Sequence, residues 1–216
     1  MRIGINKLHW PVTTLGPGRR IGIWLQGCGI HCPGCVSRDT WAQREDAFID
    51  TARVLDWCHQ GAETPDGVTI SGGEPFEQPE ALADLLAGLA AWRNELGAEF
   101  DLLCYSGMSY RRLRRDFAPI LAQLDALIPE PFVDRLADAG PWRGSANQRL
   151  VMLSPLGRAR YASAAEDPAA VSSALQISVD AGRIWFIGIP RRGDMDRLDD
   201  AVRARGIIAE GPSWRA

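Results

Sequence analysis

The sequence predicts an α/β fold in which parallel strands are joined by crossover helices. Three observations predict it. Short apolar runs rich in β-branched residues and leucine recur at 21–26, 68–71, 100–105, 124–128 and 149–153. Segments with apolar residues three and four apart separate several of them, and such alternation is the pattern of a parallel sheet with helical connections. Glycine-rich loops follow the first three runs, at the carboxyl ends of strands, where α/β folds place their ligands.

Along the chain, residues 1–20 are expected as an irregular lead-in, punctuated by Pro11, Gly16, Pro17 and Gly18. The strand at 21–26 delivers the chain into a cysteine-rich loop. Residues 51–60 suit a helix with Val54, Leu55 and Cys58 on one face and Gly61 at its end. Cys58 is then a core thiol, since buried free cysteine behaves as a small hydrophobe. After the strand at 68–71, a helix is expected over 79–96. It has Pro79 in its first turn, Gly97 beyond its end, and a stripe of Leu82, Leu85, Leu86 and Leu89. Cys104 falls inside the strand at 100–105 and reads as core. Ser109 is expected to cap a short helix. Its run Arg111, Arg112, Arg114, Arg115 reads as a solvated face, with a docking patch for an acidic electron donor as the sharper alternative. Strands at 124–128 and 149–153 complete the core, 21–153.

The remainder, 154–216, is expected as an extension. An Ala-rich stretch at 156–170 with Pro168 reads as a linker. Alternation at 175–179, a turn at 180–182 and a return over 183–189 form a hairpin signature. Asp194 should cap a last helix with Met195, Leu198 and Val202 facing inward and Gly206 closing it. Trp24, Trp57, Trp92 and Trp185 lie in apolar patterns and are expected in the core; Trp10, Trp41, Trp142 and Trp214 are expected along a surface groove.

Composition narrows the function classes. The chain has 216 residues, is 46% hydrophobic, and carries a formal net charge of -3, so no overall positive field draws it to nucleic acid or to an acidic membrane. The uncharged run at 21–37 is too short and too rich in Gly and Cys to span a bilayer, and the N-terminus lacks a signal-peptide apolar core. Five cysteines is an odd number, which argues against a disulfide framework. A reducing cytoplasm is the expected compartment.

The chemistry concentrates in Gly27-Cys28-Gly29-Ile30-His31-Cys32-Pro33-Gly34-Cys35, a C-x3-C-x2-C array. Three thiolates can hold three irons of a [4Fe-4S] cluster and leave the fourth open to a small molecule. The alternative is structural zinc, which needs four ligands; His31, Cys58, His59 and Cys104 are the possible fourth, though none stands in a second C-x2-C knuckle. Val68-Thr69-Ile70-Ser71-Gly72-Gly73-Glu74-Pro75 reads as a strand ending in a tight loop. Its paired glycines let a ligand approach the backbone, and Glu74 can accept charge-assisted hydrogen bonds from a ligand ammonium.

With these two motifs the chain resembles the radical S-adenosylmethionine (SAM) superfamily, and within it the activating enzymes of anaerobic ribonucleotide reductase. The resemblance runs over about 15–153 and takes in the loop Trp24-Leu25-Gln26-Gly27-Cys28 to Cys35 and the segment Ser71-Gly72-Gly73-Glu74-Pro75. Two more segments, Tyr105-Ser106-Gly107-Met108-Ser109-Tyr110 and Pro141-Trp142-Arg143-Gly144-Ser145-Ala146-Asn147-Gln148-Arg149, are similar to others of that branch. Three features depart from it. Ile128-Pro129-Glu130-Pro131-Phe132 stands where the branch usually has Asp-Gly-Pro, Met108 stands where a tyrosine follows the glycine, and the chain continues well past Leu153.

The resemblance implies a partial, open (β/α) barrel. It implies a [4Fe-4S] cluster on Cys28, Cys32 and Cys35, with Gly72, Gly73 and Glu74 at the SAM amine and the backbone near His31, Pro33 and Gly34 against adenine. Ser106 would reach the ribose, and Asn147 and Arg149 the SAM carboxylate or the substrate. A flavodoxin- or ferredoxin-like donor would supply the electron that cleaves SAM to a 5′-deoxyadenosyl radical. That radical would abstract a hydrogen atom from a glycine of a partner glycyl radical enzyme. The alternatives are a radical SAM enzyme acting on a peptide or small metabolite, and a non-enzymatic iron-sulfur or zinc protein.

Overall fold

The structure, a computed structural model, describes residues 1–62, 64–137, 140, 142–166, 175–180, 182–206 and 211–215, with backbone only at 165 and 180. The chain is α/β, and its main sheet has seven strands in the order β3-β1-β2-β4-β5-β6-β7. The central strands β2 (Arg20–Leu25), β4 (Gly67–Gly72), β5 (Asp101–Tyr105) and β6 (Ala126–Ile128) run parallel, in the positions expected from the apolar runs.

The sheet is mixed rather than parallel throughout. Residues 1–20, expected as irregular, hold β1 (Arg2–Val12), which pairs antiparallel with β2 and with β3 (Phe48–Asp50). Polar Asn6, Lys7 and His9 hide its alternation, and Pro11 is tolerated where the register slips between His9 and Val12. At the other edge β7 (Val151–Met152) runs antiparallel to β6. Among the described residues the connection between those two strands holds only the short 3-10 turn Asp134–Leu136 and no crossover α-helix, which a parallel return needs.

Helix α1 (Thr51–Gly61) buries Val54 and Cys58, and α2 (Pro79–Leu96) buries Leu82, Leu85, Leu86 and Leu89 against the sheet. Gly97 ends α2 at φ 58°, a conformation that suits glycine. In α3 (Tyr110–Asp116) the Ser109 hydroxyl accepts from the Arg112 N–H, the expected cap; α4 (Ala118–Leu121) follows. The expected linker is instead largely α5 (Pro155–Glu166), which buries Tyr161 and Ala164; residues 167–170 lie outside the described set. Its start was readable: Ser154 accepts from the Gly157 N–H ahead of Pro155 in the first turn.

Strands β8 (Gln176–Asp180) and β9 (Arg183–Ile187) form a separate antiparallel pair, followed by α6 (Asp194–Ala204); Ala181 of the expected turn lies outside the described residues. Gly193, not Asp194, is the residue at the α6 N-cap, and Asp194 Oδ2 accepts from the Arg191 N–H. Met195, Leu198 and Val202 are half-buried. Among the tryptophans, Trp92 and Trp142 are buried, so Trp142 leaves the expected groove set; Trp24, Trp57, Trp185, Trp10, Trp41 and Trp214 are half-buried.

Under the parallel strands lies a buried ion pair. Arg20, fully buried, donates to both Asp101 carboxylate oxygens at 2.9 and 2.7 Å, to Thr69 Oγ1 at 2.6 Å and to the Val68 carbonyl at 3.0 Å. The Tyr161 hydroxyl donates to Asp101 at 2.6 Å, which fastens α5 to the same pair. No helix of the described chain is long and apolar enough to cross a membrane.

Candidate cofactor site

The site is assembled at the carboxyl ends of β2, β4 and β5. Leaving β2, the chain turns through Gly27 at φ 98° into the cysteine loop, whose entry is held by two backbone bonds: Gly27 N–H to the Thr40 carbonyl at 2.7 Å and Cys28 N–H to the Trp41 carbonyl at 3.0 Å. Cys28, Cys32 and Cys35 are half-buried and free. His31 adopts φ 50° and stacks on Trp41 with centroids 4.7 Å apart, a packing role. Gly34 takes φ 80° with Phe132 and Asp134 against it, so the segment after β6 closes over Cys32–Gly34.

Backbone N–H groups are aimed at the thiols: those of His31 and Ile30 at Cys28, and that of Phe132 at Cys32; the Ser37 N–H donates to Cys35 Sγ at 3.4 Å. Burial pushes the Cys28 and Cys32 thiols up, and these donors oppose it. Cys58 and Cys104 sit in the core with thiols raised by burial, Cys58 to about 12, and have no part in the loop. Among the described residues no three His, Cys, Asp or Glu side chains close around a single ion. A cluster spreads its thiolates over separate irons rather than converging them on one point.

The Gly72-Gly73-Glu74 segment touches the cysteine loop directly. Gly73 N–H donates to the Leu25 carbonyl and Glu74 N–H to the Gly27 carbonyl, each at 2.8 Å. Gly72 has φ 94°, and a Cβ there would fall 2.5 Å from the Leu25 nitrogen; one on Gly73 would fall 2.1 Å from the Gly27 oxygen. Only glycines permit this approach of two backbones.

The Glu74 carboxylate is buried and accepts from Phe76 N–H (3.0 Å), Ser106 Oγ (2.8 Å) and Gly107 N–H (2.7 Å). Burial pushes its pKa up to about 7 despite these donors. Among the described residues no Lys or Arg pairs with it. A buried carboxylate with donors on both oxygens and no protein cation fits a cationic ligand group such as the SAM ammonium, which would lower that pKa again. Glu74, Gly72, Gly73, Ser106 and the cysteine loop thus stand together at the carboxyl ends of β2, β4 and β5.

Asn147 backs the segment after β6, and Arg149 lies at the surface. Asn147 Nδ2 donates to the Pro131 carbonyl at 2.8 Å, while its Oδ1 is buried without a partner. Arg149 is exposed and lies over Tyr110, its guanidinium carbon 4.8 Å from the ring centroid. Neither bonds to Glu74 or to the cysteine loop among the described residues.

Three residues that sequence reasoning missed shape the site. Glu77 accepts the Gly29 N–H with both carboxylate oxygens, at 3.0 and 2.9 Å; its place in the turn Pro75–Glu77 directly after Glu74 was the available signal. Glu130 has φ 84°, a left-handed conformation that suits glycine, in the turn that follows β6. Its Oε1 accepts the Tyr110 N–H at 3.0 Å at the start of α3. Gln148 clasps the loop by accepting from Gly144 and Ser145 and donating to the Glu130 carbonyl at 2.9 Å. Pro141, in the same segment, lies outside the described residues. A cavity of about 660 Å³ opens beside these groups, lined by Gly29, Ile30, Glu77, Gly107, Arg112 and Glu130 among others.

Comparison with known proteins matches residues 14–151 to the family described as a 4Fe-4S single cluster domain. The chain belongs to that family, and it is a radical SAM enzyme whose cofactors are a [4Fe-4S] cluster and SAM. It is similar to the anaerobic ribonucleoside-triphosphate reductase-activating protein of Enterobacteria phage T4, 28% identical over 136 residues, covering 62% of this chain and 85% of that one. The protein of the same name from Escherichia coli K12 is 27% identical over 145 residues, with 65% and 93% covered. The pyruvate formate-lyase-activating enzyme of Clostridium pasteurianum is 37% identical over 75 residues, a third of this chain (33%) and 32% of that one. Among solved structures, QueE from Escherichia coli overlays with a TM-score of 0.43 at 22% identity, covering 50% of this chain and 54% of that one.

Proposed function

We propose that this chain is an activating enzyme that removes a hydrogen atom from a glycine of a partner glycyl radical enzyme. The observation that carries the reading is the convergence on Glu74: one buried carboxylate bonded to the loop after β5, in a segment bonded through its backbone to the cysteine loop after β2. Support for the partner comes from the relatives, which activate anaerobic ribonucleotide reductase and pyruvate formate-lyase. When bound, the cluster supplies one electron for reductive cleavage of the SAM sulfonium.

On this reading Cys28, Cys32 and Cys35 hold three corners of the cluster and leave one iron open. Glu74 receives the SAM amine, and Gly72 and Gly73 let the methionyl end approach the backbone. Ser106, already fixed by its bond to Glu74, offers its hydroxyl edge to the ribose. The backbone about His31, Pro33 and Gly34 packs on adenine, and the stack of His31 on Trp41 keeps that loop stiff. We assign Asn147 to holding Pro131 rather than to the SAM carboxylate, and Arg149 to the surface. The curl of β2, β4, β5 and β6 into a partial, open (β/α) barrel, with the β8–β9 pair and α6 as an extension, belongs to the same proposal. So do a small acidic flavodoxin- or ferredoxin-like protein as electron donor and a reducing cytoplasm as the compartment.

Protein reconstituted without oxygen should bind about four irons and four sulfides per chain and, with dithionite and SAM, release 5′-deoxyadenosine. Mixed with a glycyl radical partner, it should produce a doublet in electron paramagnetic resonance. Cys32→Ala should lose both signals; a doublet that survives in that variant removes the cysteine loop from the chemistry.

A further inference from the structure

The surface beside the 660 Å³ cavity is strongly basic, against the sign of the whole chain, whose net charge is -3. Helix α3 exposes Arg111, Arg112, Arg114 and Arg115, and Arg149 joins them from the segment ahead of β7. Tyr110 is shared between two of them: Arg114 lies 5.8 Å and Arg149 4.8 Å from its ring centroid. Tyr110 with Arg111, Arg114, Arg115 and Arg149 lines an open cavity of about 590 Å³. Among the described residues the one carboxylate paired with this set is Asp116, at 2.7 Å from Arg115 and 3.8 Å from Arg112. Arg111, Arg114 and Arg149 have no carboxylate partner there.

A solvated helix face does not account for this arrangement. Arg114 and Arg115 complement the carbonyl end of α3, but Arg111 is in the first turn, and Arg149 comes from another segment to stand among like charges. Such crowding costs repulsion that an anionic partner removes. The two cavities meet at α3: Ser109 and Arg112 line the one beside the cysteine loop, Tyr110 and Arg111 the other. A polypeptide that seats a residue near Gly29 and Ile30 and runs on past α3 meets the arginines, on the side where the seven-stranded sheet ends at β7.

We propose that this surface docks an acidic stretch of the polypeptide substrate. The proposal rests on the reading that the substrate is a polypeptide. The test uses the intact chain and three fluorescein-labelled probes: a Glu/Asp-rich dodecapeptide with a central glycine, a Lys-rich counterpart, and a single-stranded oligonucleotide of equal length. Anisotropy should report binding of the acidic peptide that weakens as sodium chloride rises toward about 0.5 M. The triple variant Arg111→Gln/Arg114→Gln/Arg115→Gln should bind it at least about tenfold more weakly. The matching triple Arg→Lys variant, which keeps the charge, should stay within about threefold of the wild type. All three proteins should release 5′-deoxyadenosine at the same rate with dithionite and SAM, because these side chains are exposed and none of them bonds to Glu74. That assay checks the radical chemistry independently: its failure in the wild type sinks the functional reading while the binding result stands. The docking proposal is overturned if the wild type ignores the acidic peptide at low salt. It is equally overturned if the Gln variant binds as tightly as wild type, if the Lys variant loses as much as the Gln variant, or if the oligonucleotide binds more tightly than the peptide.

Discussion

Glu74 is where burial and charge meet. Its carboxyl titrates near 7 in the fold against an ordinary value of 4.5, with burial as the leading cause. The raised value means that the folded state favours the proton. The stability this confers is complete below 4.5 and is lost as pH rises through about 7, the charged form being the costly one. In metal-free protein the melting temperature of wild type should therefore fall relative to Glu74→Gln over that window and stay parallel above it. Parallel curves throughout would mean that burial does not govern this group. Gly73 makes the complementary steric point. An added methyl meets the Gly27 oxygen at 2.1 Å, and both partners are backbone. Gly73→Ala should cost about 1–3 kcal/mol in urea unfolding and lower iron retention; an unchanged midpoint would show that the two loops are free to part. At this scale the motif residues were legible from sequence alone. Glu130 was not, because its left-handed φ of 84° and its bond to the Tyr110 N–H depend on how the chain leaves β6.

Among the elements, the central strands and α1, α2 and α3 were readable because their apolar periodicity coincides with their burial. Strand β1 was missed because its polar residues have partners supplied by other segments: Asn6 donates to Gln26 Oε1 at 2.7 Å, and Lys7 pairs with Asp39. Helix α5 was missed because it buries little beyond Tyr161 and Ala164, so no continuous apolar stripe marks it. Beside the apolar packing of Tyr161 and Ala164 on Leu103, a polar tie joins α5 to β5. The Asp101 carboxylate takes two arginine bonds from Arg20 and one from Tyr161, all with no solvent exposure at the pair. Asp101→Ala should strand the Arg20 charge and destabilise the protein by about 3–5 kcal/mol, read from the denaturant midpoint. A loss no larger than that of an exposed pair such as Arg44–Asp46 would count against a buried, dry pair.

For the molecule as a whole, the extension is the addition to the family core, since the family match ends at residue 151. It is tied both near the start of β2 and beside the cysteine loop that follows β2. Ile187 packs with Val12 and Leu15, Trp185 lies 4.7 Å from His9, and Gln176 accepts the Thr13 N–H at 2.8 Å. Farther on, Ser213 accepts the Asp39 N–H at 3.2 Å, and Arg192 pairs with Asp134 beside the cysteine loop at 3.1 Å. Ile187→Ala should loosen the β8–β9 pair without unfolding the core. Trypsin should then cut faster at Arg183, with Trp185 emission shifted to the red while the main melting transition moves little. Equal cleavage rates would mean that the pair is not held by this small apolar cluster. The amino-acid sequence by itself determined the cysteine array, the diglycine-glutamate turn and the order of the central strands, because each depends on residue types within a few positions of one another. Only the tertiary structure decided the antiparallel edges, the left-handed Glu130, the surface placement of Arg149 and the path of the extension. Those depend on which distant groups meet a polar atom or a like charge, and no local pattern encodes that meeting.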